Sequence, residues 1–148
     1  MRTKNTQRTP ALIDRYQFPV RFSETDAMQV VWHGEYIRYF ENGRESFGRH
    51  FSGLAYRDYY DNGVFAPIVE AHCEYKLPLT FGEEAIVETR FIDSPAAKIQ
   101  FEYTVFRASD GAVAATGYTT QVFIDGQTRE LELENPKFYL DWKERWIK

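Results

Sequence analysis

The chain predicts an α+β fold in which an antiparallel β-sheet wraps around one long central helix, and three observations predict it. One helical stripe stands out, with Tyr36, Phe40, Gly43 and Phe47 on a single side. Later segments alternate apolar and polar residues at period two, the pattern of half-buried strands. Turn residues rather than a crossover helix separate those segments, so neighbouring strands run antiparallel.

Taken in order, residues 1–14 read as a flexible leader and 15–148 as one domain. The first ten residues carry basic groups with no apolar stretch behind them, unlike a signal peptide or membrane anchor. Phe18, Val20 and Phe22 then alternate with Arg21 and Ser23 as a strand. The helix is expected over residues 34–51, with Gly48 and Gly53 weakening its end. Residues 53–63 show no clean period and read as a loop or short helix edging a pocket. From residue 65 to 75, Phe65, Val69, Ala71, Cys73 and Tyr75 face one way and Glu70, His72 and Glu74 the other, a long strand with one wet side.

Pro78 interrupts, and residues 85–93 repeat the pattern through Val87, Thr89 and Phe91 before Ser94-Pro95 turns the chain. Ile99, Phe101, Tyr103 and Val105 alternate with Lys98, Gln100, Glu102 and Thr104, the cleanest strand of all. Ser109-Asp110-Gly111 closes a hairpin. Residues 112–124 form the last strand, in which Gly117 reads as a bulge or a close backbone contact. A helix over 136–147 opens with Pro136 and gains an apolar side from Phe138, Tyr139, Trp142 and Trp146.

Composition narrows the function classes. With 18 basic against 22 acidic residues, a net charge of −4 and no Lys or Arg run, nucleic acid is a poor partner. No apolar run approaches the ~20 residues a bilayer span needs. The one cysteine, Cys73, cannot form an intramolecular disulfide, which fits a reducing cytoplasm. His72 and Cys73 point to opposite sides of their strand, so no metal site is expected there.

The densest chemistry lies between Phe22 and Tyr36, where a strand, a loop carrying Asp26 and a helix start meet. Its residues Phe22, Thr25, Asp26, Val31, His33 and Tyr36 follow the opening signature of a known family: aromatic, x, x, Thr or Cys, Asp, x, x, Gly, x, Val, x, His or Tyr, x, x, Tyr. Gln29 stands where that signature has glycine. A second block, Ala71-His-Cys-Glu-Tyr75-Lys-Leu-Pro78-Leu-Thr-Phe-Gly82-Glu, follows in the right order. On these residues, over about 16–125, the chain resembles the hotdog-fold acyl-CoA thioesterases of the 4-hydroxybenzoyl-CoA thioesterase type, including the subgroup associated with the Tol-Pal cluster.

That resemblance implies a hotdog fold, hydrolysis of acyl-CoA to a carboxylate and coenzyme A without metal or other cofactor, and a homodimer or homotetramer joined edge to edge. It implies a catalytic carboxylate at Asp26, as general base or as nucleophile, and pairs His33 with it. On residue type alone an Asp beside a strand end is a turn former, and a His at a helix start is a surface or capping group. The backbone amides of His33 or Gly34, at the first turn of the helix, would hold the oxyanion. Tyr36 is a candidate for the acyl pocket, and Arg90, Lys98 and Arg107 for the coenzyme A phosphates. Glu70 and Glu74 read as solvated or subunit-facing carboxylates, and His50 has a weaker claim than His33. The competing reading is a non-catalytic module of the same fold that binds an acyl ligand.

Overall fold

The computed structural model describes residues 10–147. The chain order is β1 (Leu12–Pro19), α1 (Glu35–His50), α2 (Tyr56–Asp61), β2 (Val64–Phe65), β3 (Ile68–Tyr75), β4 (Glu84–Ile92), β5 (Lys98–Arg107), β6 (Val113–Val122), β7 (Ile124–Asp125) and α3 (Lys137–Ile147). Five strands form one antiparallel sheet in the order β1-β4-β5-β6-β3, and β2 pairs with β7 beside it. The register sets Tyr103 opposite Gly117, and Gly117 opposite Cys73.

The long helix lies on one face of this sheet because its stripe has nowhere else to go. Tyr36, Tyr39, Phe40, Gly43, Phe47 and Gly48 are its buried residues. Phe40 stacks on Tyr103 with ring centroids 4.4 Å apart, and Phe47 meets the edge of Phe101 at 5.0 Å. Full burial of one such ring is worth about 1.5–3 kcal/mol. Gly43 lets the helix approach β4 closely, since a side chain there would run into Thr89 and Val87. A polar tie adds to the packing: buried Asp14 of β1 accepts from Ser46 Oγ at 2.8 Å and lies 2.9 Å from His50 Nδ1. At the far end α3 closes the core with Tyr139 and Trp142, whose indole donates to the Phe51 carbonyl at 2.8 Å.

Several boundaries differ from the expectation. Residues 12–14, assigned to the leader, pair with β4 as the start of β1, while residues 1–9 of that leader lie outside the described residues. The strand predicted through Phe22 stops at Pro19; Phe22 enters a 3₁₀ turn over Phe22–Glu24 and is 72% exposed, its ring against Phe81. The carboxylate of Glu24 accepts from the Arg21 amide at 2.9 Å, which favours the turn over a continued ladder. The strand expected over 65–75 is two strands, because residues 66 and 67 leave the ladder before Ile68 and Pro67 has no amide hydrogen to donate. Its supposedly inward side is also open: Val69 is 60% and Tyr75 51% exposed, since β3 is the sheet's edge and α1 lies mainly over β1 and β4. Among the described residues no helix is long and apolar enough to cross a membrane.

Candidate active site

The loop between β1 and α1 is a small hairpin of its own. Thr25 and Val31 bridge antiparallel, the Asp26 amide donates to the Val30 carbonyl at 2.9 Å, and the Trp32 amide donates back to Glu24 O at 2.9 Å. Val30 in turn bridges Thr80, and the Val31 amide donates to Leu79 O, so the loop is pinned to the segment before β4. Asp26 stands near the hairpin's tip, and the returning arm leads through His33 into α1.

Asp26 is half-buried. Its Oδ1 accepts the Met28 amide at 2.8 Å, so the default turn-forming role of an Asp is present. Among the described residues its Oδ2 has no hydrogen-bond donor, and one carboxylate oxygen stays available. The tip requires a left-handed residue, and Gln29 supplies it at φ +66°. That is the position where the family signature has glycine, so Gln29 keeps the turn and bears its strain. Gln29→Gly is expected to leave stability unchanged or raise it by up to about 1 kcal/mol, the relieved strain being partly offset by the entropy of the unfolded glycine. Thermal melts of the two proteins check this.

At the entrance of α1, Gly34 caps the helix with no side-chain hydrogen bond. Among the described residues the amides of His33 and Gly34 donate to no acceptor, leaving two N–H groups at the positive end of the helix dipole. Gly34 has an ordinary helical φ of −70°, and the Trp32 indole fills the space its side chain would take. The absent Cβ therefore makes room for the indole.

The His33 side chain is exposed and makes no hydrogen bond with Asp26; its ring leans on Trp32 at 5.0 Å and meets Tyr75 edge-on at 6.3 Å. Tyr75, which stands in the second motif block without a role assigned to it, donates its hydroxyl to the His33 carbonyl at 2.9 Å and so ties edge strand β3 to the helix entrance. Its place in that block and on the alternating side of β3 were the signals for such a role.

Tyr36 is 3% exposed, wedged against the rings of Tyr39 and Tyr75. It is a core residue rather than an open pocket wall. Burial pushes it up to about 12 from the ordinary 10.0. The native state thus holds this proton more tightly than the unfolded chain, and the stability it contributes is full below pH 10 and is lost as pH rises towards 12. Tyr36→Phe is expected to flatten part of the alkaline decline in unfolding curves recorded by circular dichroism; Tyr39, Tyr59, Tyr75, Tyr103 and Tyr139 are shifted the same way by burial and share the rest.

The remaining candidates stand apart from Asp26. Arg90 projects from the sheet face opposite α1, where it binds Glu88 at 2.8 Å and Thr104 at 3.0 Å. Lys98 opens β5 near α3, its carbonyl accepting from Tyr139 at 3.4 Å. Strand pleat and position set both apart from the α1 entrance. Arg107 is held by Asp110 at 2.7 Å. Glu70 and Glu74 are exposed on β3, Glu74 with His72 and Lys76 as neighbours. Burial raises the Cys73 thiol, an unreactive state for it.

The geometry, one half-tethered carboxylate on a hairpin that feeds a helix with free amides, accords with comparison to known proteins. The Thioesterase-like superfamily matches residues 20–142. This chain belongs to that superfamily. Membership makes it, at the level of the family, a thioester hydrolase of hotdog fold. It is 28% identical over 130 residues to YneP of Bacillus subtilis, which carries the name of an inferred acyl-CoA thioesterase, covering 88% of this chain and 92% of that protein. The superfamily fold is seen in a DHNA-CoA thioesterase from Staphylococcus aureus, with a TM-score of 0.79 at 26% identity over 89% of this chain and 87% of that one. A 1,4-dihydroxy-2-naphthoyl-CoA thioesterase from Synechocystis has the same fold at a TM-score of 0.79 and 19% identity, covering 88% of this chain and 94% of that one.

Proposed function

We propose that this superfamily member hydrolyses acyl-CoA thioesters at the α1 entrance, with Asp26 as its catalytic carboxylate. The observation that carries the reading is the division of labour at Asp26: Oδ1 is fixed by the Met28 amide, while Oδ2 is left for chemistry. In the general-base form Oδ2 takes a proton from water as the water oxygen bonds to the thioester carbon. The amides of His33 and Gly34 hold the oxyanion. The C–S bond then breaks, and the proton leaves with the coenzyme A thiolate. In the alternative form Oδ2 attacks directly, giving a mixed anhydride that water cleaves. Heavy-oxygen water in a single turnover separates the two, because only the anhydride route can place label in Asp26 itself. His33 contributes its backbone in either form, and its exposed ring is free to meet substrate.

The experiment is purified protein with a panel of acyl-CoA thioesters and a free-thiol readout. Turnover supports the hydrolase. Coenzyme A binding without turnover on any member of the panel would establish a ligand-binding module instead. Gln29 weighs against that outcome, because it adopts the left-handed turn the family's glycine supplies.

The chain is further proposed to act in the cytoplasm as a homodimer, or as a homotetramer built from such dimers, with two copies joined edge to edge through β3. That strand has an unpaired edge carrying exposed Val69 and Tyr75, an arrangement that isolated proteins avoid. Antiparallel pairing of two copies would continue the sheet and set the Tyr75 end of one β3 beside the Ile68 end of the other. Light scattering should give a dimer or larger, and Val69→Arg should shift it towards monomer with lower activity.

A further inference from the structure

A cleft of about 860 Å³ lies between α1, α2 and the Phe65–Pro67 segment. Its lining is rich in rings, Phe47, Tyr56, Tyr59, Phe65 and Phe101 among them; of the arginines that line it Arg44 of α1 is half-buried, whereas Arg49 and Arg57 are exposed, as are the lining carboxylates Glu41 and Glu45. Arg44 Nη1 donates to the Tyr103 hydroxyl at 3.2 Å, and that hydroxyl shares a 2.6 Å hydrogen bond with Thr119. Tyr103 has no solvent exposure, so a neutral buried pair moors the guanidinium from below. Among the described residues no carboxylate forms an ion pair with Arg44: Glu45 faces Arg49, and Glu41, on the same helix, lies beyond ion-pair reach.

A guanidinium has five N–H donors, and one is used here. A cation partly withdrawn from water beside aromatic walls gains most from an anionic, planar acceptor that takes two donors at once. Carboxylate is that acceptor. We infer that Arg44 is a specificity-determining residue which binds a carboxylate at the far end of the acyl group, so that the preferred substrates are ω-carboxyacyl thioesters. The inference rests on the hydrolase reading and names its substrate class. The path is supplied by the proposed β3 pairing. Ala66 and Pro67 rim the cleft next to the Ile68 end of β3, the end set beside the Tyr75 end of a second copy, and Tyr75 holds the helix entrance. A thioester at one entrance can thus extend its acyl chain into the neighbouring cleft.

The test compares thioesters of equal chain length with and without the terminal carboxylate, adipoyl-CoA against hexanoyl-CoA and suberoyl-CoA against octanoyl-CoA. Wild type is expected to favour the carboxylated member of each pair in kcat/KM. In Arg44→Gln the ratio of carboxylated to plain substrate should fall by about 30-fold, mainly through KM, as for loss of a charge-assisted hydrogen bond. Tyr103→Phe removes the mooring hydroxyl while keeping the ring, and should lower the ratio by less. Calorimetric titration with suberate gives a readout independent of turnover. Binding to wild type that weakens in Arg44→Gln supports the cleft assignment even if no thioester is hydrolysed, in which case only the hydrolase reading fails. Hydrolysis with no carboxylate preference, a ratio unchanged in Arg44→Gln, or no suberate binding to wild type overturns the assignment of Arg44.

Discussion

Asp26→Asn is expected to lower turnover on acyl-CoA by about a thousand-fold, some 4 kcal/mol of barrier, with the fold intact. The asparagine side-chain oxygen can still accept the Met28 amide, so the hairpin tip keeps its hydrogen bond and only the basic, anionic oxygen is lost. Asp26→Ala removes both, and should cost about 1 kcal/mol of stability in addition. The pair of variants separates chemistry from architecture. A similar loss of rate in both, with a lower melting temperature in Ala alone, is the predicted pattern. Wild-type turnover in Asp26→Asn would move the catalytic carboxylate elsewhere, and Glu35, whose Oε1 is buried at the first turn of α1, would be the next residue to test.

Gly117→Val should destabilise the protein by about 3 kcal/mol, the upper range for overpacking a core. A side chain at this point of β6 would collide with the His72 carbonyl of the adjacent strand and with the Phe40 ring. One of these is backbone and cannot rotate aside. The other belongs to α1, so relief on that side means shifting the helix whose leading end carries the free amides. For a domain of this size the melting temperature should drop by about 10 °C. Residual folded protein should also show a raised barrier to thioester cleavage, since a displacement of even 1 Å at the reacting groups is costly. Calorimetry together with the thiol assay reads both effects. A Gly117→Val protein as stable and active as wild type would mean that the space under Phe40 can be reopened cheaply.

Much of the architecture could be read in advance because it is written in periodicities. The 3.6-residue stripe of Tyr36, Phe40, Gly43 and Phe47 has one use, to face the sheet, and α1 lies within one residue of its expected ends. The alternation from Ile99 to Val105 likewise becomes β5, and the close contact at Gly117 was one of the two meanings open to a glycine inside a strand. What went astray followed local hydrogen bonding that outweighed pattern: Glu24 capping a turn where Phe22 had continued the alternation, and Pro67 dividing β2 from β3. For the site, residue types pointed to Asp26 and the helix entrance, while the burial of Tyr36 among rings and the pairing of Arg90 with Glu88 were not written in any local pattern.

By itself the sequence determined the α+β pattern of one long helix with antiparallel strands and the placing of one carboxylate ahead of that helix, because each depends on neighbours a few residues apart, while the hotdog class came from the resemblance of two motif blocks. Only the tertiary structure decided that Gln29 takes the glycine's left-handed turn, that Tyr75 fastens the helix entrance, and that Arg44, Tyr103 and Thr119 meet inside an aromatic cleft. Those contacts join residues far apart in the chain, and the energy that selects them comes from packing and desolvation, which no local pattern encodes.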